Sequence, residues 1–267
     1  MDLAVRKAAQ SVWVELCGRI GLVAKGAIYG LIGVLALLVA LGFGGRPRDR
    51  QGALRFIAAQ PLGEVILYAL AAGFAAYALW RFVQAFLDRD HEGDGATGLA
   101  KRAGYFGRGV LYAGFCVGAI SVVGGLGGGG RNEAQETDTV FDWPAGRYLV
   151  FAAGGVLLGA AAWNGYRAVR KKYRKDMKRG QMSGTERTWL DALGAAGHLA
   201  RMVVFGLIGF FLVRAASQYD ANEAVGLDGA LARVAEARYG EWLLAVVAGG
   251  LMAYGLFCFM QARYRDV

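Results

Sequence analysis

The sequence predicts an all-α, polytopic membrane protein whose six transmembrane helices form three parallel two-helix repeats with pseudo-threefold symmetry. Three observations predict it. Apolar residues make up 56% of the 267 positions and charged residues 19%, against about 45–50% and about 25% in soluble domains. The mean hydropathy is +0.35, and the apolar residues gather into runs at 22–45, 62–87, 104–130, 147–166, 196–217 and 241–262. A helix of about 20 residues, rising 1.5 Å per residue, crosses a hydrocarbon core about 30 Å thick. Barrel strands would alternate polar and apolar residues, and these runs do not. Finally, the chain repeats itself, and a fixed internal period marks a tandem architecture.

Before the first span, Val5, Ala8, Ala9, Val12, Trp13, Leu16 and Ile20 share one helical face, as in an amphipathic helix lying in the interface. Arg6 and Lys7 precede Glu15 and Arg19 rather than a short apolar stretch, so no cleavable signal peptide is expected. The first and last outer loops, RQGALRFIAAQ and LDGALARVAEA, carry helical spacing, and each is expected to form a short helix. The middle loop, RNEAQETDTVFDWPAG, is expected to differ. Gly125 to Gly130 satisfies G-x-G-x-x-G, but a dinucleotide fingerprint follows a strand. Here the run closes a span and reads as an exit turn. The segment RAVRKKYRKDMKR, 167–179, reads as a basic helical extension of the fourth span, within a basic loop at 167–187. Contact with an anionic leaflet, worth about 1 kcal/mol per base, competes there with docking of an acidic partner and with a solvated, topology-setting loop.

Lysine and arginine set the orientation. Arg6, Lys7 and Arg19, then Arg89, Lys101 and Arg102, then the 167–187 segment, then Arg263 and Arg265 fall on one side. The positive-inside bias places that side, with both termini, in the cytoplasm. The net charge of +9 thus records topology, and with no binding module present no nucleic-acid partner is expected.

The repeat is explicit. GLVAKGAIYG (21–30), GYFGRGVLYA (104–113) and GHLARMVVFG (197–206) align Lys25, Arg108 and Arg201, and Tyr29, Tyr112 and Phe205. YALWRFVQA (77–85), AAAWNGYRA (160–168) and YGLFCFMQA (254–262) align Trp80, Trp163 and Phe257, and Gln84, Arg167 and Gln261. One membrane domain, 1–267, therefore contains repeats at 11–90, 94–176 and 187–267. Each is a helix, an outer loop and a returning helix. Two helices per copy keep all copies in one orientation, related by an axis along the membrane normal. Close helix contacts are expected at glycines: Gly26, Gly30 and Gly33, with Gly114 and Gly118, Gly155 and Gly159, and Gly206 and Gly209 elsewhere.

Three tandem copies with a base–aromatic first helix, a GAL…QPLG outer loop and a Y-x-x-W/F-x-x-x-Q second helix resemble a bacterial membrane family, the domain of unknown function 1206. Gly52 to Gly63 and Tyr77 to Gln84 carry the resemblance best, and the middle copy departs from it at Trp143-Pro144-Ala145-Gly146. The resemblance implies six helices, a bacterial inner or plasma membrane, and no established activity.

No catalytic constellation can be assembled. The two histidines, His91 in a loop and His198 near a helix start, lie far apart. Cys17, Cys116 and Cys258 form no metal or redox pair, so no metal and no cofactor is expected. His198 reads as an interfacial residue. Carboxylates keep to loops and helix ends, such as Glu64 and Glu241, whereas cation-coupled carriers keep an acid in mid-membrane. What the spans do hold is positive: Lys25, Arg81, Arg108 and Arg201. Each repeated base precedes an aromatic by four residues, on the same helical face. Each returning helix ends at that level with Gln84, Arg167 or Gln261. Two readings are open: snorkelling to the headgroups, or sites for anionic headgroups or another anion, formed by Lys25, Arg108, Arg201, Gln84, Arg167, Gln261, Tyr29 and Tyr112. The expected function is a non-enzymatic structural or accessory membrane component that engages anionic phospholipid or another membrane protein or complex. The alternative is a channel or carrier for a small anion.

Overall fold

The computed structural model describes residues 12–43, 50–87, 95–125 and 133–265. Nine α-helices occur among the described residues: α1 (Val12–Ala40), α2 (Arg50–Ala58), α3 (Gly63–Phe86), α4 (Ala96–Val123), α5 (Glu133–Phe141), α6 (Gly146–Val169), α7 (Gly184–Gln218), α8 (Leu227–Ala235) and α9 (Gly240–Tyr264). Six of them, α1, α3, α4, α6, α7 and α9, are long and apolar enough to cross a membrane. This is the predicted multi-pass, all-α architecture. Val12 to Ile20 continue directly into the first span as part of α1. The upstream part of the expected amphipathic helix, with Val5, Ala8 and Ala9, lies outside the described residues, as do His91 and residues 126–130.

Local sequence explains the helix ends. Gly42 takes φ 78, and the amides of Gly42 and Phe43 return to Val39 O and Leu38 O, closing α1 with a Schellman turn. Gly125, at φ 70, turns the chain out of α4, the one described residue of the predicted glycine exit. Ser183 and Glu186 form a reciprocal capping box at the start of α7.

The short outer helices correct one expectation. Copies one and three have them, as predicted, but so does the middle copy: α2, α5 and α8 each span nine residues. Glu133, Ala134, Gln135 and Glu136 are good helix formers, and acids in a first turn favour the helix dipole. All three copies then close their turns with the same hydrogen bond, the amides of Gly63, Gly146 and Gly240 donating to Gln60 O, Trp143 O and Ala237 O. A second correction concerns 167–179. Helix α6 stops at Val169, Lys171 enters the left-handed region, and two short 3-10 turns, Lys172–Asp176 and Arg179–Gln181, replace the expected helical extension.

Among the described residues the chain folds as two compact units. The first comprises Met1–Ala27, Leu54–Gly128 and Cys258–Val267, and the second Ile28–Ala53 and Gly129–Phe257. Helix packing within the units reproduces the sequence repeat. In the first unit a Cβ on Gly21 would lie 2.6 Å from Tyr77 Cα, and one on Gly73 would lie 2.4 Å from Ala24 Cβ, so α1 and α3 nearly touch backbones. In the second unit a Cβ on Gly197 would lie 2.6 Å from Tyr254 Cα and one on Gly250 2.5 Å from Ala200 Cβ, the same two close approaches between α7 and α9. Hairpins one and three are therefore built alike.

Junctions between copies also recur. Gly109 of α4 receives the Phe82 ring of α3, while at the next junction the roles exchange and Gly165 of α6 receives Met202 of α7. Gly33 of α1 lies against Ala248 O and Met252 of α9, and Gly209 of α7 against Gly154 O and Leu158 of α6. Small residues let helices approach where lipid supplies no hydrophobic drive. Of the predicted stripes, Gly33 and Gly209 make such contacts, and Gly206 makes an ordinary one at 3.8 Å with Ala161. Gly30, Gly114, Gly118, Gly155 and Gly159 have open space at their Cβ positions. The tight positions are those where a neighbouring helix crosses, which a stripe read along one helix does not locate.

Candidate functional site

Arginines finish two of the returning helices. Arg19 of α1 donates to Ala262 O and Arg263 O at the end of α9. Arg102 of α4, the same repeat position, donates to Ala85 O and Phe86 O at the end of α3. A cation at a helix C-terminus satisfies orphan carbonyls and complements the dipole. Both caps lie in the first unit, and the Arg102 cap holds the last turn of α3, which carries the candidate Gln84.

Around that turn the first unit gathers its bases. Lys25 is buried, with Nζ 5.5 Å from the centroid of the Tyr77 ring. Arg81 is 3% exposed. Its guanidinium donates to Tyr77 Oη at 2.6 Å and to Gln84 Oε1 at 2.7 Å, and it stacks 4.3 Å from the Trp80 centroid. Arg265 lies over the same indole at 5.1 Å. Tyr112 is buried against Tyr77, centroids 4.3 Å apart. Arg108 is exposed, yet with Lys25 and Arg81 it falls within electrostatic range of the Tyr77 hydroxyl. Burial of Lys25 and Arg81 separates them from a snorkelling side chain, whose charged head stays in water. Two donors, Arg81 Nε and Trp80 Nε1, are buried with no hydrogen-bond acceptor among the described residues.

In the second unit Arg201 is half-buried. It donates to Tyr254 Oη at 2.5 Å and stacks on Tyr254, Phe205 and Tyr29 at 4.5, 4.7 and 5.7 Å. Tyr77 and Tyr254 occupy the same repeat position, so in copies one and three the repeated base meets the same aromatic. His198 corrects the interfacial reading. It is 2% exposed, its Nδ1 lies 2.7 Å from Gly194 O, and Tyr173, Tyr254 and Phe257 surround its ring. That is a packed core histidine.

The basic loop is anchored rather than free. Tyr173 is fully buried against Gly194, where a Cβ would lie 2.6 Å from its ring, and its hydroxyl donates to Asp191 O at 2.9 Å. Burial, reinforced by the Asp191 carboxylate, raises its phenol above the usual range. Arg174 pairs with both Asp191 oxygens, and that hydrogen bonding holds its guanidinium above its ordinary value. The candidate Arg167 is engaged by Asp176 at 3.0 Å, and Gln261 is buried at 4% exposure.

Thus the structure brings together Lys25, Gln84, Tyr112 and Arg108 in one unit, and Arg201 with Tyr29 in the other. Arg81, Tyr77, Trp80 and Tyr254 are the partners that a search for recurring bases passes over. The signal for Arg81 is departure from the repeat, where it aligns with Asn164 and Cys258. Among the described residues no cluster of His, Cys, Asp and Glu could hold a metal ion.

The comparisons agree with this tandem build. The family model described as Domain of Unknown Function matches three times, at residues 20–88, 103–171 and 196–265, one match for each hairpin. An uncharacterised protein of Bacillus subtilis (strain 168) is similar to this chain, 31% identical over 255 residues that cover 96% of this chain and 92% of that protein. No solved structure matches the chain significantly. Three consecutive family matches on three hairpins place the chain in the family Domain of Unknown Function 1206 (DUF1206).

Proposed function

We propose that the protein is a non-enzymatic, structural or accessory component of a bacterial plasma membrane. With both termini cytoplasmic, it engages anionic phospholipid, alone or together with another membrane protein. The observation that carries this reading is the repeated base–tyrosine pair, Lys25 with Tyr77 and Arg201 with Tyr254. It occurs in the turn of the first helix that the positive-inside bias assigns to the cytoplasm. A cation held over an aromatic face is pre-oriented and partly desolvated, and so offers an anion more than a solvated side chain can. The anchored loop at 167–187 adds exposed bases, Arg170 and Lys175 among them, whose attraction to an anionic leaflet is worth about 1 kcal/mol each.

Native mass spectrometry of the full chain, released from membranes containing phosphatidylglycerol and phosphatidylcholine, tests the reading. Wild type should retain phosphatidylglycerol preferentially, and Lys25→Gln and Arg201→Gln should each retain less. Equal retention by all three proteins would refute it.

A further inference from the structure

We propose that Arg81 and Trp80 form a binding site for a phosphate-bearing anion, with Arg81 Nε–H and Trp80 Nε1–H as the donors that receive it. This rests on, and deepens, the reading that bases at this end of the helices engage an anionic ligand, by naming the donors and the ligand chemistry.

Four observations converge on this pair. Arg81 is 3% exposed and Trp80 fully buried, so both side chains are removed from solvent. Two guanidinium nitrogens of Arg81 are committed to the Tyr77 hydroxyl and the Gln84 amide oxygen. Those bonds fix the plane of the guanidinium, and among the described residues Arg81 makes no salt bridge with a carboxylate. Its third edge, Nε–H, and the indole N–H of Trp80 find no acceptor among the described residues. A buried donor without an acceptor is costly, and a buried charge without a counter-charge more so. One ligand that accepts hydrogen bonds and carries negative charge relieves both.

The surroundings select for charge. Lys25 lies over Tyr77 and Arg265 over Trp80, so cations flank the two aromatic rings on which Arg81 stacks. An arginine edge and an indole N–H on consecutive residues suit a phosphate, whose several oxygens accept at once. A phospholipid headgroup and free phosphate share that chemistry.

The test uses the full chain in neutral detergent, with two probes. Inorganic phosphate is titrated calorimetrically without added lipid, and retention of phosphatidylglycerol over phosphatidylcholine is read by native mass spectrometry. Arg81→Lys keeps the charge and loses the Nε–H, while Trp80→Phe keeps an aromatic ring and loses the indole N–H. Each should weaken binding of whichever probe binds by roughly tenfold, as expected when a hydrogen bond to a charged group is lost. Trp163→Phe, the exposed equivalent in the second copy, should leave binding unchanged and controls for loss of an indole. Thermal melts of each variant confirm that a folded protein is being compared. Phosphate binding that is sensitive to both variants identifies a free-anion site, and sensitive phosphatidylglycerol retention alone identifies a headgroup site. Binding of neither probe, or binding that both variants leave unchanged, overturns the proposal. If Lys25→Gln and Arg201→Gln lose phosphatidylglycerol while Arg81→Lys and Trp80→Phe do not, this site fails and the broader reading stands. Phosphate binding that depends on Arg81, without any preference for phosphatidylglycerol, gives the reverse result.

Discussion

Gly146 illustrates how single residues set this fold. A Cβ there would lie 1.7 Å from Val140 O, and the equivalent Gly63 and Gly240 would strike Ile57 O at 2.2 Å and Ala235 O at 1.7 Å. Backbone carbonyls in a closed turn cannot move aside as a flexible side chain can. Gly146→Ala should therefore destabilise the protein by about 1–3 kcal/mol or more, whereas Gly104→Ala, which meets open space, should be neutral or slightly stabilising. Thermal unfolding of the two variants in one detergent makes the comparison. A second residue-scale prediction concerns Tyr173, whose phenol burial raises. The folded protein then holds this proton more tightly than the unfolded chain, where a phenol titrates near 10. The associated stability is fully present below about pH 10 and is lost as pH rises through the folded value. Melting temperature should fall more steeply across that range in wild type than in Tyr173→Phe, which in turn loses about 1 kcal/mol at neutral pH with its bond to Asp191 O. At this scale the sequence was only half legible. Lys25, Arg201 and Gln84 stood out because they recur in register. Arg81 did not, because its chemistry depends on Tyr77, one turn earlier, and on neighbours brought in by α4 and α9.

At the scale of elements, charge position decides which helix each arginine serves. Arg147 occupies the place of Glu64 and Glu241 in the first turn of its helix, where a cation opposes the dipole. It reaches instead to Ala216 O and Ser217 O at the end of α7, where the dipole favours it. Arg19 and Arg102 do the same for α9 and α3. Arg102→Ala should cost about 1.5 kcal/mol, the low end for a bond to a charged group because the side chain is half in solvent. It should also fray the last turn of α3, with faster amide exchange at Leu87, whose N–H returns to Val83 O, than at residues in mid-helix. The long helices were readable from hydropathy because length and apolarity are local properties. Two elements were not. Helix α5 was hidden by its acidic composition, although those acids suit a first turn. The segment 167–179 carries helical composition but is bent by contacts made elsewhere, Tyr173 with Gly194 and Arg174 with Asp191. No local window reports such contacts.

For the whole molecule, the repeat is the strongest organising fact, and it was legible because parallel copies preserve register. Tyr112 meets Tyr77 as Tyr29 meets Tyr254, each first-helix tyrosine touching the returning helix of the preceding copy. The like contacts of Gly33 and Gly209 belong to the same neighbour relation between consecutive copies. Parallel repeats have a further consequence for topology. Because each copy contains two spans, the connections α3–α4 and α6–α7 must lie on one side, and the outer helices α2, α5 and α8 on the other. On the proposed orientation, the lysine and arginine bias puts the first side in the cytoplasm. Single cysteines introduced into a cysteine-free background provide the check. At Asp138 and Asn222, both exposed beside outer helices, a membrane-impermeant maleimide should label intact cells. At Lys175, exposed in the anchored basic loop, it should label only after the membrane is opened. The opposite pattern would place Lys25, Arg81 and Arg201 at the outer leaflet and remove the topological basis for a cytoplasmic anion site. Labelling of Asp138 and Asn222 from different sides would break the parallel-repeat architecture itself, since two equivalent loops cannot then lie on one face.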